Sequence, residues 1–426
     1  MKALKYLLII SLLALPVSAA AWWFNNASSA GHAGGATPFV FTILTLGEDD
    51  TFTLPLYDGG TYNFNVDWGD SNSDTITTWN DGDNGHTYED GGATEYTITI
   101  TGTIVGMAFE GGGDDTQMKD ISSWGPFGFG DTGSTFEGCT NLTVSATDAP
   151  SLAGVTDMSN TFQTNSSLTT IPGMASWDMS SVVTIYAMFH GASSFNQDIS
   201  AWDTSSVTNM GYVFYNNTLF NQPLDNWDTG EVTTMTWMFY DAPAINQSLD
   251  SWDVSKVTNM DYMFRGADAF DGNITSWTTT ALTSTTGMFF SCDVFDQDIS
   301  GWDMELVDDM SGMFHDAIAF SQDIGAWKTD AVEDISSMFD GAVSFDHDLS
   351  AWDISNVDDA DEMFLGVTLS TANYDELLEG WEDQADTAVI NFGAGNSTYT
   401  GGGDAADARA VLVGKGWVIT DGGIAP

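Results

Sequence analysis

Apolar and polar positions follow one another in FNQDISAWDTSSVTNM (195–210) in an order that returns at FDQDISGWDMELVDDM (295–310) and FDHDLSAWDISNVDDA (345–360). In the copy running from 195 to 219, the apolar positions are Phe195, Ile199, Trp202, Val207, Met210 and Phe214. Val207, Met210 and Phe214 stand at i, i+3 and i+7, which predicts a short helical turn. FNQDISAW is too short for a helix and is bounded by polar residues, so it predicts a short strand or extended segment. Asp203 and Ser205 are turn and N-cap types between the two.

The register is strict. Trp177, Trp202, Trp227, Trp252, Trp277, Trp302, Trp327 and Trp352 fall 25 residues apart, and so do Phe189, Phe214, Phe239, Phe264, Phe289, Phe314, Phe339 and Phe364. A fixed period of this length signals stacked repeats. Trp124 precedes Phe136 as Trp177 precedes Phe189, and Phe109, Phe136 and Phe162 extend the series upstream with small insertions. About eleven turns therefore run from near Met107 to near Gly366. One turn cannot bury its own apolar face, whereas stacking buries Trp on Trp and Phe on Phe. At about 4.8 Å per turn, the stack would be roughly 50 Å long.

The flanks follow other rules. Alternation in Tyr62-Phe64-Val66-Trp68 and in Tyr96-Ile98-Ile100 predicts half-buried strands. Lys2 and Lys5, the apolar run Tyr6–Leu15 and the small residues Ser18 to Ala21 have the order of a cleaved secretory signal peptide. The chain of 426 residues thus divides into a signal peptide (1–21), a Gly/Ala-rich linker (22–35), a β module (36–104), the repeats (105–370) and a C-terminal cap (371–426). The cap is expected to hold helices over Asn373–Trp381 and Ala405–Leu412, with strands near Val389–Phe392 and Trp417–Thr420. No second apolar stretch reaches spanning length.

The phrase V-T-x-M-x-x-M-F-x-x-A-x-x-F-N-Q-x-x-x-x-W resembles the mycoplasma-type surface repeat, grouped with BspA-like leucine-rich-repeat surface proteins. The resemblance covers about 260 residues and extends to the tail ANYDELLEGW (372–381). FNVDWGDSNSDT (64–75) and GHTYEDGGATEYTITITG (85–102), with His86 and Tyr88, resemble a PKD-type immunoglobulin-like module. The implied fold is mainly β with short helices: an immunoglobulin-like β-sandwich, a leucine-rich-repeat-like solenoid of about eleven turns, and an α/β cap. The family implies a secreted or surface-displayed protein, adhesion or unknown function, and no reaction. Thr278 and Lys328, where Asp follows Trp elsewhere, and Thr285, in place of a core Met, depart from the pattern.

Charge narrows the partners. With 61 acidic and 8 basic residues, the net charge is -53. That excludes nucleic acid, which needs basic patches, and anionic membrane surfaces. Cys139 and Cys292 occupy the slot of Ala192 and Ala242, six turns apart, too far for a disulfide. His190 and His315 share a slot five turns apart, and His347 replaces the repeat Gln, so the histidines form no metal site. No zinc-protease, nucleophile-elbow or phosphate-loop pattern is present, and no catalytic residue is assigned.

The acidic residues after the repeat Trp, such as Asp178, Asp203 and Asp253, read as turn residues. Thr208-Asn209 and Thr258-Asn259 become Asp308-Asp309, Glu333-Asp334 and Asp358-Asp359, three stacked acidic pairs. Charges about 5 Å apart repel by roughly 0.8 kcal/mol even in water. The expected compensation is salt, or calcium held by Asp308, Asp309, Glu333, Asp334, Asp358 and Asp359. Asp67 and Asp70 are a weaker calcium candidate. The resulting reading is non-catalytic binding of an extracellular protein or glycan through the long repeat face. A self-associating coat or filament is the alternative, and an extracellular carbohydrate-active enzyme the third. Asn141, Asn165, Asn216, Asn246, Asn273 and Asn396 begin N-x-S/T sequons.

Overall fold

The computed structural model describes residues 37–47, 49–89, 92–384 and 390–426. The expected signal peptide and linker lie outside them. Regular structure is mainly β, with two α-helices among the described residues. None of the described helices is long and apolar enough to cross a membrane.

The predicted alternation is realised in β3 (Thr61–Asp67) and β6 (Thr94–Val105), and a further strand that the alternation did not mark, β1 (Phe39–Thr45), joins them. With β4 (Ser73–Ile76), these strands pair antiparallel in the order β4-β3-β6-β1. β2 (Asp50–Thr53) and β5 (Gly85–Tyr88) form a separate two-stranded ribbon. Phe52 and Tyr88 from the ribbon and Phe41 and Trp68 from the sheet side are all buried. The sheet does not stop at the end of this module. β7 (Met118–Ser123) pairs antiparallel with β1, β8 (Phe127–Gly128) pairs parallel with β6, and β9 (Thr143–Val144) pairs parallel with β7. The first repeats therefore grow on the edge of the N-terminal sheet, and residues 37–426 form one compact unit.

From Asp157 onward each turn contributes one bridging residue to a parallel ladder: Asp157, Thr184, Asn209, Thr234, Asn259, Ser284, Asp309, Asp334 and Asp359. This ladder runs through the Val-Met segment, and FNQDISAW is irregular, with a turn at Ser200-Ala201 and no strand. The expected helical turn is also absent, because left-handed residues interrupt it. Ala187, Tyr212, Trp237, Tyr262, Gly287, Gly312, Ser337 and Glu362, one per repeat, have φ between 52° and 60°. This geometry turns alternate N–H groups toward the next repeat. Met210, Tyr212, Phe214 and Asn216 donate to the carbonyls of Thr234, Thr236, Met238 and Tyr240 at 3.2, 2.9, 2.9 and 2.8 Å. Intra-helical bonds are exchanged for a row of inter-turn bonds.

FNQDISAW is joined to its neighbours through side chains. Asn196 accepts from the Asn221 N–H, Asn221 from Asn246, and Asn246 from Asp271, each at 3.0 Å. His347, standing in for Gln, places Nε2 2.7 Å from the Ser321 carbonyl. Gln247 Nε2 donates to the equivalent Asn221 carbonyl at 3.1 Å.

The core follows the aromatic register. From Phe136 to Phe364 nine successive Phe pairs stack, with centroids 5.3–5.9 Å apart and planes within 12°. A rise of about 4.8 Å with a sideways slip of about 3 Å gives this spacing, the offset geometry that ring quadrupoles favour. The Trp column adds a polar anchor: Trp202 Nε1 donates to Met174 O at 2.9 Å, and Trp252 Nε1 to Leu224 O at 2.9 Å. The same bond, 28 residues back, recurs at Trp227, Trp277, Trp302, Trp327 and Trp352. Cys139 and Cys292 are free and buried, as their Ala slot required. Burial pushes both thiols well above their ordinary range.

The cap continues the stack. α1 (Thr371–Glu382) begins at Ser370, whose side chain accepts from Asn373 N, and packs against α2 (Asp404–Gly414). Trp381 on α1 donates to Leu349 O at 3.1 Å, taking the place of a repeat Trp. β10 (Asn391–Gly393) and β11 (Val418–Thr420) pair parallel, and Phe392 bridges Ala360 of the last turn. Val389, the expected first residue of the β10 strand, lies outside the described residues.

Candidate functional site

The left-handed turn decides which side chains face outward. Tyr212, Trp237 and Tyr262 occupy the left-handed slot in three consecutive repeats, and their rings are 5.7 and 4.5 Å apart. Three residues further on, a second row runs through His190, Tyr215, Tyr240, Arg265, Phe290 and His315. Tyr215 stacks on Tyr240 at 4.6 Å, and Phe290 on His315 at 4.1 Å. The rows touch, with Trp237 4.8 Å from Tyr240. All these side chains are half-buried. Tyr212 lies within 6° of parallel to Trp237 and Tyr215 within 2° of parallel to Tyr240, whereas Trp237 and Tyr262 are tilted by 44°.

Arg265 fills one place in the second row. Its guanidinium carbon lies 5.0 Å from the Tyr240 ring centre and 4.5 Å from that of Phe290. The planar cation thus substitutes for a ring in the stack. The first row ends at Gly287, where an added Cβ would meet Tyr262 Cε1 at 2.4 Å, so the Tyr262 ring occupies the space of the next side chain. Burial pushes the Tyr212, Tyr215 and Tyr262 phenols up, which keeps them protonated and able to donate.

Toward the cap the face changes from aromatic to acidic. His315 lies 3.4 Å from an Asp316 oxygen and 3.7 Å from an Asp340 oxygen. Burial raises the Asp241, Asp268 and Asp340 carboxyls above their ordinary range. Beyond them a cavity of about 650 Å³ between the last turn and the cap is lined by Asp361, Glu362, Leu365, Asn391, Phe392 and Val418 among others.

Asp309, Asp334 and Asp359 are consecutive bridge residues. Each uses Oδ1 to accept the N–H two residues on, at 2.9, 2.8 and 2.9 Å. Asp308, Glu333 and Asp358 are exposed, and their backbones continue the ladder. In earlier turns this slot holds Thr208, Thr233, Thr258 and Thr283, whose hydroxyls each donate to a carbonyl one turn back. The acidic turns lack those bonds. Among the described residues no group of three His, Cys, Asp or Glu side chains is placed to hold a metal ion. Asp67 closes a turn onto Gly69 N, and Asp70 bonds His86 Nε2 at 2.7 Å.

Asp178, Asp203 and Asp253 are turn residues, accepting from Ser180, Ser205 and Ser255. Of the sequon residues, Asn165 is fully buried, which removes it as an acceptor for glycosylation. The aromatic rows were not foreseen. Their signal was present in the same register, since Tyr215 and Tyr240, or Tyr212, Trp237 and Tyr262, also recur every 25 residues.

A family model described as Mycoplasma protein of unknown function, DUF285, matches residues 130–249, 156–277 and 269–381. Searches of curated proteins and of solved structures returned no match. Since its matches together span more than half of the chain, the protein belongs to this DUF285 repeat family.

Proposed function

We propose that this is a secreted or cell-surface binding protein without catalytic activity. In this reading the stacked turns are a leucine-rich-repeat-like solenoid of the BspA-like kind. The N-terminal sheet and ribbon are a PKD-like sandwich that presents it. The ligand is a protein surface bearing Arg and Lys, and it docks on the face built from Tyr212, Tyr215, Trp237, Tyr240 and Tyr262. The observation that carries this reading is Arg265, a guanidinium already seated against the Tyr240 and Tyr262 rings of that face. Tyr, Trp and Arg are the side chains that dominate binding energy at protein interfaces. The net charge of -53 favours basic partners and speeds their approach. The same charge opposes contact between copies of this chain, which weakens the coat or filament reading.

The test is an array of purified extracellular proteins and glycans, probed with the mature chain and with the Trp237→Ala/Tyr240→Ala double variant. Basic proteins should be bound, more weakly as salt rises, and at least about tenfold more weakly by the variant, as loss of two hot-spot residues implies. Equal binding by both chains, or binding confined to neutral glycans, would refute the assignment.

A further inference from the structure

The two outward rows of the repeats run out at the cap. In the second row, His315 is followed at the same 25-residue spacing by Asp340 and Leu365. Phe364 donates its N–H to the Gly393 carbonyl at 2.8 Å, as Phe339 does to that of Met363 at 2.9 Å. The cap thus carries on the register, and Gly395 stands two residues past Gly393 as Leu365 stands two past Met363. Gly395 has no side chain to lay on Leu365, which is left 48% exposed. Nor is there room for one, since an added Cβ would collide with the Phe364 carbonyl oxygen. The left-handed row ends in the same way. Phe392 stands one place before Gly393, as Glu362 does before Met363, but its ring is buried in the core. The cavity of about 650 Å³ between the last turn and the cap lies where the next two outward side chains would stand. Leu365 and Val418 give it an apolar wall, and Asp361 and Glu362 bring carboxylates to it. Its volume falls among those of ligand pockets, about 300–1,000 Å³.

We infer that this cavity is a second binding site, separate from the aromatic face, for a basic side chain carried on an apolar peptide segment. Arg265 shows what a place in the second row accepts: a side chain aliphatic along its stem and cationic at its head, laid against its row neighbours. At the cap, the stem of a partner's Arg or Lys would lie along Leu365 and Val418, as such stems do on apolar surface. Its head would reach Asp361 or Glu362 in a charge-assisted hydrogen bond. Asp361 is free to accept, because its contact with Asn391 Nδ2 is long, at 3.5 Å. An aromatic occupant would find no ring to stack on, since the row ends in Asp340 and Leu365 and the Phe392 ring is buried.

The probe is a pentapeptide with a central arginine between two leucines, compared with its twin carrying citrulline, which keeps the shape and loses the charge. Calorimetric titration of the intact mature chain is run at about 0.15 M salt, where diffuse charge is screened beyond about 8 Å. The arginine peptide should bind at least about tenfold more tightly than its twin, as an ionic hydrogen bond implies. Asp361→Asn/Glu362→Gln should remove most of that preference. Leu365→Arg should set the chain's own guanidinium in the cavity, block the peptide and raise the melting temperature. All three side chains are exposed, so these variants should fold. Asp308→Asn, a charge change outside the cavity, should leave binding unchanged. So should Trp237→Ala/Tyr240→Ala, which separates this site from the aromatic face. No binding at millimolar peptide, equal affinity for both peptides, an equal loss in Asp308→Asn, or undiminished binding by Leu365→Arg would overturn the site.

Discussion

Replacing Trp252 by Phe tests whether the Trp column is chosen for bulk or for its indole N–H. Trp252 is 3% exposed, and its Nε1 donates to Leu224 O at 2.9 Å inside the core. Phe keeps an aromatic ring in the stack but cannot donate. The Leu224 carbonyl would keep the Trp227 N–H at 3.1 Å but lose the indole donor, at a net cost of about 0.5–1.5 kcal/mol. The smaller ring adds a cavity cost, in the range of about 1 kcal/mol per lost methylene-sized volume. The molecule supplies its own control. Trp177 is also buried, at 4% exposed, yet its Nε1 has no partner, because the turn before it departs from the 25-residue register. Trp177→Phe thus carries the cavity cost without the hydrogen-bond cost. The two variants should differ by about 0.5–1.5 kcal/mol in urea unfolding followed by circular dichroism, with Trp252→Phe the weaker. Slopes must match the parent for the comparison to hold, since repeat arrays can lose two-state behaviour. Equal losses in both variants would refute the anchoring role and leave the column as packing alone.

Asn165→Ala should raise stability by about 1 kcal/mol in the same assay, because both amide atoms of this fully buried residue are unpartnered and Ala fits the slot in other turns. Arg409→Gln should cost about 3 kcal/mol and expose the cap to proteolysis, because Arg409 donates to both oxygens of Asp421, whose side chain is 4% exposed. Melting temperature should pass through a maximum on the acid side of neutrality. Burial raises Asp241, Asp268 and Asp340 above their ordinary 3.8, so the penalty for ionising them is lifted as pH falls through their folded values. Ser hydroxyls and N–H groups lower Asp178, Asp198, Asp203, Asp253 and Asp298 below 3.8, so their contribution is lost as pH falls further. A steady decline in melting temperature from pH 7 downward would contradict this.

The sequence by itself determined the period, the buried Trp and Phe columns, the small slot that holds Cys139 and Cys292, and the turn role of Asp203. Each is a local or strictly periodic property, so identity and spacing were enough to read it. Tertiary structure decided the path of the chain within each turn. Val207, Met210 and Phe214 carry helical spacing, yet Tyr212 and Asn216 adopt φ of 60° and 54°. No local signal marks that choice, because only two of the eight residues in the Tyr212 slot are glycine. A left-handed side chain costs about 1 kcal/mol or more. It is offset by N–H bonds to carbonyls 24 residues away, which exist only once the next turn is in place. The aromatic face follows from that path, since the left-handed residue turns Tyr212, Trp237 and Tyr262 outward. The cavity at the cap arises for the same kind of reason. Leu365 and Val418 are 53 residues apart in the chain, and only the docking of β10 and β11 on the last turn brings them to one cavity.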